Sequence, residues 1–216
     1  MFRVALPIIA AVCVMSAAAA TAPDLTGVYQ AIPNDKTLEG GRKNQGSPAE
    51  IPLLPAAAQQ LQDPKEDPAK KCVPVGPFRM MARDQVKIEL VPVTGMIVML
   101  FEDLSHGTMR TIHMDRDHLP KMDPLWFGDS VGKWEGDSLV VDTTGFNDRT
   151  WFNERGAQHS DALHLVERIR PVLSGKALEY KVTAEDPKVL AKPYTYTRYF
   201  EKVTTEIADN ACQDEE

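Results

Sequence analysis

Five side chains in this sequence have the type and setting for proton-transfer chemistry: His118, His159, His164, Glu167 and Asp142. His118 sits in DRDHLP, between Asp115 and Asp117 on one side and Pro120 on the other. An imidazole titrates close to neutral pH, and a neighbouring carboxylate fixes its tautomer, so this is a setting for a general base. The competing reading is a solvated loop histidine with no role. His159 and His164 fall in HSDALH, where Ser160 and Asp161 follow the first histidine. A Ser-His-Asp triad is set aside, because no Gly-x-Ser-x-Gly elbow is expected anywhere in the chain. Direct chelation by both histidines would need a bulge, since residues five apart point to opposite faces of a strand. No metal and no other cofactor is expected.

Glu167 carries the sharper signal. Along 162–170, Leu163, Leu165, Glu167 and Ile169 share one face, and His164, Val166, Arg168 and Arg170 share the other. If the first face lines an interior, Glu167 is a carboxyl in apolar surroundings. Desolvation then raises its pKa and suits it to act as a general acid. Equally, it could pair with an interior Arg or Tyr as a structural contact. Asp142 alternates with Val140, which predicts that it also faces inward and could share acid and base roles with Glu167. If the other face of 162–170 lines the interior, Arg168 could hold an anion. Trp126, Trp134, Trp151 and Asp115 complete the candidate ligand-binding set, although core packing competes as a role for the tryptophans.

These residues need elements to position them. Val86, Ile88 and Leu90 alternate with polar residues, as do Leu178, Tyr180 and Val182. Met96–Phe101 is a short apolar run, Ile112 and Met114 share a face with Arg110, residues 134–141 read as strand, Gly-Asp turn, strand, and Tyr194–Val203 reads as a last strand. Period two recurs and period 3.6 does not, apart from a short helix expected over Ile51–Leu61. The fold class is therefore all-β: an antiparallel lipocalin-like barrel, or a related β-sandwich, with long loops. Gly27-Val28-Tyr29 resembles the first strand of lipocalin-type barrels, which implies a closed barrel around an internal cavity. Two long connections break the strand rhythm, Asp115–Gly128 and Gly145–Ser160, and long loops in compact domains are often functional. Placed together at one end, they would form the mouth.

The chain has 216 residues, 24 Lys plus Arg against 31 Asp plus Glu, and a net charge of −7. An acidic chain of ordinary composition argues against nucleic-acid binding, which needs a basic face, and against anionic membrane surfaces. Residues 1–20 read as a signal peptide: Arg3, an apolar run from Val4 to Met15, then small residues to Ala20. Cleavage there removes one cation and leaves −8, and no stable membrane insertion is expected afterwards. Cys13 leaves with the signal, so Cys72 and Cys212 remain, an even pair that reads as a disulfide in an exported protein. The expected organisation is one domain: an N-terminal strand and irregular covering segment over 21–71, and a barrel over 72–216.

Three stretches sharpen the picture: DPAKKCVPVGPFR, then DPLWFGDSVGKWEGDSLVVDTTGFNDRTWFNERGAQHSDALHLVERIR, then EDPKVLAKPYTYT. They resemble a large family of secreted, mostly uncharacterised bacterial proteins. Its pattern runs Gly-x-Ser-x-Gly-x-Trp-Glu-Gly-Asp-Thr-Leu-Val-Val-Asp, then His-Ser-x-x-Leu-His-x-x-Glu-Arg. The resemblance covers about residues 64–216. It falls on Cys72, Trp126, Ser130, Trp134, Glu135, Asp137, Asp142, Phe146, Trp151, His159, Ser160, His164, Glu167, Arg168, Asp186 and Cys212. Ser138 stands where the pattern has Thr, and Tyr194 where it has Trp. The family implies export and a β-rich domain, and supplies sites without a reaction.

The reading that results is a periplasmic or secreted small-molecule enzyme of the lyase, isomerase or hydrolase type, using cofactor-free acid–base chemistry in a barrel cavity. A non-catalytic carrier of an apolar or phenolic ligand is the alternative, and a structural envelope protein is a third.

Overall fold

A computed structural model describes residues 22–208, apart from 85 and 103–106 and the side chains of 107 and 108. The expected signal peptide and Cys212, with the Cys72–Cys212 pairing, lie outside the described residues.

Nine strands close into a barrel. In chain order they are β1 (Gly27–Ala31), β4 (Lys87–Val93), β5 (Met96–Glu102), β6 (Gly107–His113), β7 (Asp129–Glu135), β8 (Ser138–Thr144), β9 (His164–Val172), β10 (Ala177–Glu185) and β11 (Tyr194–Val203). A small ribbon of β2 (Thr37–Leu38) and β3 (Arg42–Lys43) lies outside it. From β4 to β11 each strand pairs with its successor, and β1 closes the ring between β11 and β4. Period two is the cause. In β5, Ile97, Met99 and Phe101 point inward; in β10, Leu178, Tyr180, Val182 and Ala184 do. Tight turns sustain the meander. Gly136, with φ of 63°, opens the two-residue loop between Glu135 and Ser138, the position at which a type II′ hairpin turn requires positive φ.

The barrel is antiparallel everywhere except between β6 and β7. Nine is odd, so a closed ring of alternating strands must contain one parallel neighbour pair. That pair is short: only Ile112↔Ser130 and His113↔Val131 are in register. It falls where the connection 114–128 stands in for a tight hairpin. The two long connections do meet: Leu125 N donates to Gly145 O at 2.9 Å and Asn147 N to Leu125 O at 2.9 Å.

Among the described residues, side chains fill the lumen in place of the expected internal cavity. Met99, Ile112, Val141, Leu165, Val182 and Phe200 have no accessible surface, and a side chain beside a water-sized void would retain some. At one end α2 (Gly76–Met80) and the segment 145–160 cover the lumen. Phe78 meets Phe152 and Tyr196 edge-on at 5.2 and 5.0 Å, and Tyr196 Oη donates to Phe78 O. The helix expected over Ile51–Leu61 shrinks to α1 (Pro55–Ala58). Pro52 and Pro55 interrupt the run, and Leu53 forms a β-bridge with Leu190 instead. Among the described residues no helix is long and apolar enough to cross a membrane.

Gly132 marks where the short parallel seam is tightest. A Cβ there would sit 2.7 Å from Ile112 Cγ2 and 2.8 Å from Met114 Sδ. The Gly132→Ala substitution should therefore lower unfolding free energy by about 1–3 kcal/mol through overpacking. Urea denaturation with an unchanged slope would check this; a neutral midpoint would mean that the seam adjusts freely.

Candidate functional site

The alternation of β9 puts Leu165, Glu167 and Ile169 inside and His164, Val166 and Arg168 on the outer surface or facing it. Glu167 is wholly buried, and its partner is Arg110, at 2% exposure. Arg110 Nη1 donates to Glu167 Oε1 at 2.9 Å, and Nη2 donates to Oε2. Arg110 Nε donates to Ser130 Oγ at 2.9 Å, Nη2 to Thr143 Oγ1 at 2.7 Å, and Tyr180 Oη to Glu167 Oε1 at 2.8 Å. Burial acts against the Arg110 cation, yet the adjacent Glu167 carboxylate raises its pKa above the ordinary arginine value. Burial and the same carboxylate push the Tyr180 phenol up. The glutamate is thus the polar member of a structural network, one of the two roles its sequence context allowed. Sequence reasoning missed Arg110 as its partner, though Arg110 shares a face with Ile112. Gly128–Gly132 matches Gly-x-Ser-x-Gly by letter, but Ser130 lies inside β7 and binds Arg110, so no elbow forms.

Asp142 does not meet Glu167. Val141 is the register partner of Glu167, so Asp142 lies on the opposite, outer face, with its side chain 44% exposed. This corrects its expected inward orientation and the paired acid–base role. Asp142 instead joins two other nominated residues. His118 Nε2 lies 2.9 Å from Asp142 Oδ1, and His164 Nε2 lies 2.9 Å from Oδ2. His118 Nδ1 lies 3.0 Å from Asp129 Oδ2, and Arg116 clasps Asp129 with both terminal nitrogens. The result is a line of Arg116, Asp129, His118, Asp142 and His164 running from the 114–128 connection across β7, β8 and β9. The Arg116 guanidinium, then His118 and the Leu119 N–H, hold the Asp129 carboxyl well below the usual carboxylate range against its burial. Burial raises the Asp142 pKa, but His164 and His118 overcome this and lower it.

His159 lies apart from both groups, buried between Phe146 and Phe152. Its Nδ1 donates to Ser160 O at 3.0 Å, so Nε2 is left to accept from the Thr150 hydroxyl. Burial lowers its pKa. Ser160 is clamped in turn by the buried Asp186, through N at 2.7 Å and Oγ at 2.8 Å. Arg168 is exposed and pairs with Glu135 at 2.9 Å, so it holds no anion inside the barrel. Trp151 is buried, Trp134 packs on the core, Trp126 lies under Arg149, and Asp115 is exposed beside Gly95. These residues form no common platform.

Two clefts lie beside the segment 145–160. The larger, 790 Å³, lies between residues 46–49, the end of α2 and its following turn, residues 152–155 and Arg198 of β11. Its walls are fixed: Asn153 Nδ2 donates to Pro48 O at 2.8 Å, and Asn153 Oδ1 accepts from Arg155 N and Ala157 N. The smaller, 490 Å³, is lined by Asp148, His159, Ser160, Asp161 and Lys188 among others. The larger cleft was not legible as a site, because Asn34, Asn44 and residues 46–49 supply one wall from the covering segment, far in sequence from the other walls. Among the described residues no cluster of His, Cys, Asp and Glu has the arrangement to hold a metal.

Two measurements separate these roles. Glu167→Gln leaves the Arg110 charge buried without a counter-ion and should cost about 3–5 kcal/mol. Asp142→Asn, at a half-exposed outer position, should cost under about 1 kcal/mol. Comparable losses in chemical denaturation would contradict the assignment. Asp129 has a depressed folded-state pKa, so its contribution is complete above its ordinary value of 3.8 and is lost as pH falls below it. Asp129→Asn should therefore flatten the acid limb of the stability–pH curve below about pH 4 and leave the neutral limb's slope unchanged.

No protein-family model and no curated protein matches this chain. Among solved structures it is similar to a REP1-NXSQ fatty acid transporter, at 11% identity and a TM-score of 0.40, over 84% of this chain and 98% of that one. It is also similar to a variant of the fluorescent protein UnaG, at 12% identity and a TM-score of 0.33, over 56% of this chain and 73% of the other.

Proposed function

We propose that this protein is an exported β-barrel that binds a small molecule in the 790 Å³ cleft at the covered end of its barrel, not in its lumen. The observation that carries this reading is the cleft itself: its volume lies within the range of small-molecule sites, and hydrogen bonds hold its walls in place before any ligand arrives. The segment 145–160, nominated from its length and aromatic content, contributes one wall. Residues 1–20, read as a signal peptide cut after Ala20, support export.

A second reading keeps the acid–base chemistry. It is favoured by Asp142 standing between His118 and His164, each ring nitrogen 2.9 Å from one carboxylate oxygen on a partly exposed surface. In that reading His164 exchanges a proton with a substrate and Asp142 orients it, while His118, with both ring nitrogens on carboxylates, positions Asp142. His118→Ala and His164→Ala should then each reduce turnover of the natural substrate by more than about tenfold, and smaller losses would remove the reading.

The binding proposal is tested by native mass spectrometry of protein isolated from its own periplasm, before and after denaturation. The expected result is an added small mass in the native spectrum only, lost in an Ala82→Trp variant that fills the cleft. An added mass that survives this substitution would place the ligand elsewhere, and an empty native spectrum would overturn a retained ligand.

A further inference from the structure

Resting on that reading of the larger cleft, we propose that its ligand is an organic anion, with a carboxylate or phosphate head at Arg198 and Arg155 and an apolar body against Phe152 and Ala82. The charge distribution supplies the first argument. Four arginines line the cleft, Arg79, Arg83, Arg155 and Arg198, against Asp84 and Glu154. They gather in a chain whose net charge is −7, so the site runs against the sign of the whole molecule.

The arginines are not equivalent. Arg79 is locked: both terminal nitrogens donate to the buried Asp67. Arg198 is as deeply buried, at 4% exposure, but its counter-ion is of another kind. Its Nη2 donates to Asp84 Oδ1 at 2.7 Å, and the Asp84 side chain is 54% exposed. Nη1 donates to Asn34 Oδ1 at 2.7 Å, and Nε, like that of Arg79, meets no acceptor among the described residues. A solvent-facing carboxylate is one that an incoming anion can replace, whereas a buried bidentate one is not. Asp84 is held otherwise by the amide of the exposed Asn34, at 2.9 and 3.1 Å, so it is the partner that an incoming anion would displace from Arg198.

The cleft is also too large for a bare ion. Phe152, Ala82, Ala49 and Pro48 add apolar wall beside the guanidinium groups. A planar guanidinium suits carboxylate and phosphate alike through paired N–H donors, and the apolar wall selects the organic body.

The test is calorimetric titration of the mature protein at low salt with benzoate, phenyl phosphate and benzyl alcohol, with amide NMR shifts locating the site. Benzoate or phenyl phosphate should bind and shift residues around Phe152 and Arg198, and the stronger of the two identifies the head. Benzyl alcohol should bind at least about tenfold more weakly, the order of a charge-assisted contact. Arg155→Gln, at an exposed rim position, should weaken anion binding by about fivefold, and Asp84→Asn should tighten it by a similar factor by removing the competing carboxylate. Equal binding of benzyl alcohol and benzoate at the cleft would overturn the anion assignment and leave the cleft as a ligand site. Binding of none of the three would overturn the assignment as well, and together with an empty native mass spectrum it would remove the ligand site itself.

Discussion

The barrel depends on one buried ion pair. Nine strands force a parallel junction, and the chain makes that junction short, with two residue pairs in register between β6 and β7. Backbone hydrogen bonding is therefore weakest there. The Arg110–Glu167 network lies behind this seam, and its members come from five consecutive strands: Arg110 on β6, Ser130 on β7, Thr143 on β8, Glu167 on β9 and Tyr180 on β10. Taking two charges into an apolar lumen costs several kcal/mol per ion, and the pair repays this only when its remaining donors and acceptors are satisfied. Here the guanidinium's Nε and both terminal nitrogens find acceptors, and the carboxylate accepts a phenol as well. Ser130 binds Arg110 across the seam, so the side chains supply the connection that the short register does not.

Fixing Glu167 inside also fixes what lies outside. A strand has two faces, and a glutamate bound in the lumen commits His164 and Arg168 to the other side. The outer surface then carries a second line of polar contacts over the same region. The 114–128 connection is fastened by Arg116 and His118 to Asp129 on β7, and His118 goes on to Asp142 on β8, which His164 on β9 shares. One network ties β6 to β7–β10 from within, and the other ties the connection that follows β6 to β7, β8 and β9 from without. The residues with the strongest chemical character in the sequence are thus divided between two faces of one sheet, with Glu167 on one and Asp142 on the other, and a single catalytic cluster containing both is excluded by parity alone.

The same parity explains what could be read from the sequence. The alternation of Leu163, Leu165, Glu167 and Ile169 is local, and it predicts the barrel face without knowledge of any partner. The Gly136-Asp137 turn is local too. Asp142 was misplaced because its strand is apolar on both faces: Val140 and Val141 are both buried, so hydrophobicity carries no directional signal there. Arg110 was seen as a neighbour of Ile112 but not as the partner of a residue 57 positions later. The odd strand count and the cleft walls are likewise properties of the closed ring and of segments far apart in the chain. Thr150 and His159 show the limit from the other side. The motif containing His159 is conspicuous, but its ring is consumed by two local hydrogen bonds and two aromatic neighbours.

A barrel of about this size has an interior just wide enough for side chains or for one small ligand, and this chain uses the space for side chains. Tyr180, Tyr196, Phe101 and Phe200 are all fully buried there. Tyr180 and Tyr196 lie with ring centroids 6.1 Å apart, one hydroxyl on Glu167 and the other on Phe78 O. A lumen ligand would have to displace an aromatic ring and leave a buried hydroxyl or the ion pair without a partner, a cost of about 1–3 kcal/mol for each such group before any contact is gained. The end of the barrel carries no such penalty. There α2, residues 46–49 and the segment 145–160 stand apart enough to leave 790 Å³ between them, and Arg198, the next inward position of β11 after Tyr196, brings a buried cation from the strand to that opening. The filled lumen and the proposed end site are two consequences of the same packing: the side chains that make the ring rigid also leave its rim as the place where a ligand costs least.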